Sequence, residues 1–220
     1  MALEAVFFDL DGTLADTAPD LVGALATVLQ QRGMPAPEYA LARALAGHGS
    51  VALLGLASIT PEQSDFSLWQ QDYLSAYQQR AHQGSRLFDG VNALLQGLAA
   101  KGLAWGIITN KPQRFAEDLL PKLGFACAPA AVVCGDTCAE AKPSVLPMHH
   151  ACRLAGVAAE NCLYVGDAER DMQAGRAAGM QTVLARWGYI PAHEQPEQWD
   201  WDFAADTPVD ILSLPCFIVD

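Results

Sequence analysis

Basic residues are scarce in this 220-residue chain: 13 Lys and Arg stand against 25 Asp and Glu, a formal net charge of −12. That balance argues against general binding to nucleic acid or to anionic membranes. It also means that an anionic small molecule needs local positive charge, from a metal or from particular Lys and Arg. No apolar stretch is long enough to span a membrane. Met1–Glu4 lack the basic and apolar regions of a signal peptide. The six cysteines (Cys127, Cys134, Cys138, Cys152, Cys162, Cys216) include no Cys-x-x-Cys pair, and no His/Cys partners complete a metal site around Cys134 and Cys138. Reduced thiols in a cytoplasmic protein are the expectation. Internal repeats and low-complexity linkers are also missing. What is present is a 51% hydrophobic composition, enough for one substantial core or a core plus a small insertion.

The most informative stretch is Ala5–Thr13 (Ala-Val-Phe-Phe-Asp-Leu-Asp-Gly-Thr). Ala5–Phe8 reads as a strand buried on both faces of a parallel sheet. Ligands bind beyond the carboxyl ends of such strands, so the run delivers Asp9 and Asp11 to the mouth of a site. A carboxylate can attack phosphorus as a nucleophile. A second one two residues on can act as acid, then base. Gly12 allows a tight turn, and Thr13 offers a hydroxyl and an N–H to a phosphate oxygen. Taken alone, Asp-Gly-Thr is an ordinary turn.

Thr17-Ala18-Pro19-Asp20 reads as a helix start with a capping box, and Leu21, Leu25, Val28 and Leu29 repeat at helical spacing until Gly33. Two shorter helices, 38–46 and 50–58, flank Gly47-His48-Gly49. A further helix is expected to begin at Thr60-Pro61-Glu62-Gln63, with Phe66, Trp69, Tyr73 and Tyr77 as a packing stripe. No strand-like alternation appears between 15 and 85, which predicts an all-helical cap at 15–85 inserted into a core formed by 1–14 and 86–220. Hinges are expected near Leu14–Thr17 and Ser85–Asp89. From there strands and helices alternate: strands at 104–109, 130–134, 163–165 and 182–185, a short edge strand at 203–205, and helices at 91–101, 113–123, 145–154 and 169–178. The fold class is α/β, a doubly wound parallel sheet.

Three later strands lead to groups that phosphoryl transfer on an Asp nucleophile requires. Thr109 offers a hydroxyl to a phosphate oxygen, Lys142 a fixed positive charge, and Asp167 with Asp171 a site for Mg²⁺, which favours oxygen ligands. A divalent ion would offset the repulsion among four gathered carboxylates and polarise the phosphoryl group. Each residue has a plainer role in isolation: Thr109 and Asp167 as helix caps, Lys142 as a solvated lysine.

Asp-Leu-Asp-Gly-Thr-Leu-Ala-Asp-Thr (9–17), followed in order by Thr109, Lys142 and Asp167, resembles the motifs of haloacid dehalogenase superfamily phosphatases, and the resemblance covers nearly the whole chain. It implies that Asp9 is the nucleophile and Asp11 the general acid/base, with its carbonyl on Mg²⁺. It further implies that Thr109 and Lys142 hold the phosphoryl group, and that Asp9, Asp11, Asp167 and Asp171 surround the metal, Asp171 directly or through a ligand. The helical insertion looks like the cap of the phosphoglycolate phosphatase-like branch. Ala168 and Val145 depart from the usual pattern, which carries Ser, Thr or Asp at the first and a second Pro at the second. Segments 109–117 and 187–191 are similar to phosphoglycolate phosphatases and, more closely, to N-acetylmuramic acid 6-phosphate phosphatases of cell-wall recycling; Asn110 lies in the first of them. The expected substrate is a small phosphomonoester, with Thr13, Asn110, Arg43, His48 and Ser50 as candidate contacts. The sugar phosphate is preferred over 2-phosphoglycolate. A phosphosugar mutase shares every core motif, a hydrolytic dehalogenase has no use for Asp11, and a receiver-type signalling module needs neither the paired acids nor the insertion. No nucleic-acid or membrane partner is expected, and the chain is read as a monomer or small homo-oligomer.

Overall fold

The computed structural model describes residues 3–80 and 82–217. Ala5–Phe8 form strand β1, every residue of it buried. Its side chains alternate between two apolar clusters: Val6 and Phe8 pack with Leu94, Leu95 and Leu98, while Ala5 and Phe7 pack with Met148, Ala151 and Ala174. Burying Phe7 and Phe8 alone contributes roughly 1.5–3 kcal/mol each, before the cost of ordering them.

The elements that follow are β2 (Ala15–Asp16), α1 (Ala18–Gln31), α2 (Tyr39–Ala44), α3 (Gly49–Gly55), α4 (Phe66–Arg80), β3 (Arg86–Leu87) and α5 (Val91–Ala100). Next come β4 (Ala104–Ile108), α6 (Gln113–Leu119), β5 (Ala131–Val133), α7 (Leu146–Ala155), β6 (Cys162–Gly166), α8 (Glu169–Ala177), β7 (Gln181–Ala185) and β8 (Phe203–Ala205). Six strands form one parallel sheet in the order β5-β4-β1-β6-β7-β8, the doubly wound arrangement expected. The order of the sheet reverses next to β1. Phe8 lies opposite Ile107 on one side and Val165 on the other. Asp9, Thr109 and Asp167 therefore emerge within two residues of the paired segments, side by side at one rim.

Helices α1–α4 build an apolar cluster of their own from Leu25, Leu29, Leu53, Leu54, Trp69, Tyr73 and Tyr77, which Phe115 and Tyr189 join from the sheet side. Three local expectations change. Residues 15–85 are not wholly helical, because Ala15–Asp16 pair antiparallel with Arg86–Leu87 where the insertion leaves and rejoins the sheet. Two residues per strand are too few to show an alternating pattern. The fourth helix begins at Phe66, not Thr60; Gln63 closes a turn there by accepting from the Thr60 N–H and donating to the Ser58 carbonyl.

Asp20 is also not a capping-box acid. Its buried carboxylate accepts from the N–H groups of His82, Gly84 and Ser85 and from the Ser85 hydroxyl, at 2.6–3.0 Å, fastening α1 to the segment after α4. The first N–H groups of α1, Thr17 and Ala18, instead donate to the Tyr189 hydroxyl at 2.7 and 2.9 Å.

Candidate active site

Asp9 is buried beyond β1, with one carboxylate oxygen 3.0 Å from the Lys142 ammonium. Lys142 arrives on the loop between β5 and α7. Its ammonium, fully buried, also reaches Asp171 Oδ1 at 2.8 Å, the Ile108 carbonyl at 2.8 Å and the Tyr164 hydroxyl at 2.7 Å. Asp171 sits in the first turn of α8, where its other oxygen accepts the Ala168 N–H at 3.0 Å. Asp167 ends β6 between two donors, the Thr13 hydroxyl at 2.8 Å and the Tyr189 N–H at 2.7 Å. Glycine is required around it: a Cβ on Gly12 (φ +88°) would lie 2.2 Å from an Asp167 oxygen, and one on Gly188 2.1 Å from the Asp167 Cβ.

Asp9, Asp167 and Asp171 present carboxylate oxygens within 4.8 Å of one another. Burial, and then the charges of Asp9 and Asp171, push the Asp167 carboxyl up from 3.8 to about 7, against the pull of Tyr189 and Thr13. Asp167 has no cationic partner at salt-bridge distance among the described residues. This crowded set of hard oxygen donors fits a divalent cation.

Asp11 stands apart from that trio. Its carboxylate, half-buried, accepts from the Lys111 ammonium at 2.9 and 3.1 Å and from the Thr17 hydroxyl at 2.5 Å. Its side chain is thus turned from the metal cluster toward the insertion; the expected metal contact was through its carbonyl. Burial works against the charge on Lys111, but Asp11 and Tyr77 outweigh it and raise its pKa. The Tyr77 ring lies 4.8 Å from that ammonium.

Thr109 is buried at the end of β4, where its hydroxyl oxygen accepts the Lys111 N–H at 3.1 Å. Asn110, expected as a substrate contact, lines the cavity over Asp9, and its side-chain amide clamps the Lys142 backbone, donating to the carbonyl and accepting from the N–H, each at 2.9 Å. Thr13, expected as another contact, has its hydroxyl on Asp167 and its N–H on the Leu10 carbonyl.

A cavity of about 530 Å³ opens over Asp9, Asp11 and Thr109 and is roofed by the helical insertion. His48 and Ser50 line it as expected. His48 Nε2 lies 3.0 Å from Glu194, and the Ser50 hydroxyl accepts from Gln70 at 2.9 Å. Arg43 does not line it; it lies 3.7 Å from Asp16 and 4.8 Å over the Tyr189 ring, where the chain enters the insertion. Several lining residues escaped the sequence reading: Lys111, Arg114, Arg170 and Gln70. Tyr73 and Tyr77 are buried packing residues, as expected, but both hydroxyls lack a hydrogen-bond partner and both line the cavity.

Comparison with known proteins agrees with this geometry. Residues 6–185 match the family of haloacid dehalogenase-like hydrolases. A protein of Xanthomonas campestris named phosphoglycolate phosphatase is 42% identical over 204 residues, covering 93% of this chain and 92% of its own. One of Pseudomonas putida named N-acetylmuramic acid 6-phosphate phosphatase is 37% identical over 215 residues, covering 97% and 96%. A crystal structure described as a predicted phosphoglycolate phosphatase from Haemophilus somnus superposes with a TM-score of 0.82 at 27% identity, covering 96% of this chain and 97% of that one. With a family match that runs from β1 to β7 and relatives alike over almost their full length, this chain belongs to the haloacid dehalogenase-like hydrolases.

Proposed function

We propose that the protein is a magnesium-dependent phosphatase that hydrolyses a small phosphomonoester through an aspartyl-phosphate on Asp9, with N-acetylmuramic acid 6-phosphate as substrate. The observation that carries the reading is the position of Asp9: a buried carboxylate fixed by Lys142, two more acids beside it, and a substrate-sized cavity above. An Asp9 oxygen attacks phosphorus and the bond to the leaving oxygen breaks, Asp11 donating a proton to that oxygen. Water then attacks the phosphorus, Asp11 takes its proton, and the bond to Asp9 breaks to release phosphate. Thr109 and Lys142 hold the equatorial oxygens, the fixed charge stabilising the transition state without reorganisation. Asp9 and Asp167, with Asp171, would hold Mg²⁺, which supplies neutralising charge on the phosphoryl group. Helices α1–α4, residues 15–85 with the core at 1–14 and 86–220, act as the cap that excludes water.

The cavity volume supports the sugar phosphate, because a two-carbon acid fills only a small part of 530 Å³. A second reading, 2-phosphoglycolate, is favoured by the name of the 42% identical relative. The test is kcat/KM for both substrates, with and without Mg²⁺, on the wild type and on Asp9→Asn. Turnover that needs the metal, vanishes in Asp9→Asn and favours the sugar phosphate is expected. Normal turnover by Asp9→Asn would exclude the aspartyl-phosphate, and a tenfold preference for phosphoglycolate would reverse the order of substrates.

A further inference from the structure

Three cationic side chains line the cavity over Asp9: Lys111, Arg114 and Arg170. Its lining includes two acids, Asp9 and Asp11, each at salt-bridge distance from a lysine: Lys142, which Asp9 shares with Asp171, and Lys111. Arg114 and Arg170 line the same cavity, and neither has a carboxylate at salt-bridge distance among the described residues. Burial works against the charge on Arg170, but Asp171, Asp9 and Asp167 outweigh it and raise its pKa; with no carboxylate of the described residues in direct contact, both guanidinium groups can receive an anion in the cavity. Arg170 is mostly buried and donates from one nitrogen to the Gly47 carbonyl at 2.9 Å, which leaves its other donors free. Arg114 lies more exposed, its guanidinium 4.5 Å over the Phe115 ring. Two polar atoms of the same lining also lack a hydrogen-bond partner: His48 Nδ1 and the hydroxyl of Tyr73, a residue only 1% exposed. Guanidinium groups match carboxylates in shape as well as charge.

We propose that this cavity selects phosphomonoesters bearing a carboxylate, with Arg114 and Arg170 as the specificity-determining residues that receive it. The inference rests on the phosphatase reading and deepens it. The two substrates considered above, 2-phosphoglycolate and N-acetylmuramic acid 6-phosphate, differ greatly in size but share a carboxylate. A site whose charged donors are left unpaired by an analogue rejects that analogue strongly.

The experiment compares kcat/KM, at saturating Mg²⁺, within two pairs of esters. 2-Phosphoglycolate is set against ethyl phosphate, and N-acetylmuramic acid 6-phosphate against N-acetylglucosamine 6-phosphate, which lacks the lactyl carboxylate. The wild type should prefer the acid by tenfold or more in at least one pair. In Arg114→Met and Arg170→Met that ratio should fall at least fivefold, mainly through KM for the acid. Arg114 is exposed, so its variant stays folded even if loss of the Gly47 contact unsettles Arg170→Met; far-UV circular dichroism checks both. A wild-type ratio near one in both pairs, with all four esters hydrolysed, would overturn the carboxylate proposal and leave the phosphatase intact. So would a ratio that Arg114→Met preserves. No hydrolysis of any ester would overturn the phosphatase reading and this proposal with it.

Discussion

Asp167→Asn should stabilise the metal-free protein while abolishing its metal response. The surroundings of Asp167 oppose its charge, since burial and the neighbouring charges of Asp9 and Asp171 lift its carboxyl from 3.8 to about 7. At about 1.4 kcal/mol per pH unit, that shift makes ionised Asp167 cost about 4 kcal/mol of folding stability. The sign follows from linkage. Below pH 3.8 the group is neutral in both states and costs nothing. As pH rises toward 7 the unfolded chain ionises first, so stability falls, and above 7 the loss is complete. Asparagine carries no charge and suits the local hydrogen bonds: its oxygen can accept the Tyr189 N–H while its amide donates to the Thr13 hydroxyl, which rotates to accept. In chelator-treated protein the variant should melt about 8–16 °C above wild type at pH 8, using about 2–4 °C per kcal/mol for a chain of this size. Its advantage should fall below half of that at pH 5. Millimolar Mg²⁺ should raise the wild-type melting temperature and leave the variant's unchanged. A variant that melts below wild type at pH 8, or an advantage equal at the two pH values, would refute the claim that burying a charge on Asp167, beside Asp9 and Asp171, opposes folding.

Lys142→Met should remove the cation shared by Asp9 and Asp171 and cost about 3–5 kcal/mol, read from urea denaturation at neutral pH in the absence of metal. An unchanged urea midpoint would show that the ammonium is not their counter-charge. Asp20→Ala should free four donors on the segment after α4, destabilise the fold by about 2–4 kcal/mol, and speed amide exchange at His82, Gly84 and Ser85 ahead of the sheet. Exchange that is unchanged at those three amides would contradict the fastening role of Asp20.

Much of the fold was legible because it rests on local signals. The apolar run Ala5–Phe8, the glycines that stop helices at 33, 102, 124 and 179, and the polar residues just past β1, β4 and β6 each announce themselves within a few positions. The acids that cluster were readable for the same reason: parallel strands of similar register bring their ends together. What escaped depends on partners far along the chain. Asp20 reads as a cap acid until the segment 62–65 residues later folds back on it. Lys111 reads as the end of a strand until Asp11, 100 residues earlier, stands beside it. Thr13 and Asn110 sit in the expected place, but neighbours claim their side chains: Asp167 takes one, and the Lys142 backbone takes the other. Arg170 lies inside a motif whose acids drew attention away from it.

Tyr189 joins the start of α1 to the acid just past β6. Its hydroxyl receives the first N–H groups of α1 and donates to Asp16 at 2.7 Å, while its own N–H holds Asp167. A displacement of α1 would therefore be felt, through one residue, at the buried Asp167 carboxylate. The entrance to the insertion and the acidic trio thus hang on one beam, and a shift of Tyr189 would loosen both at once.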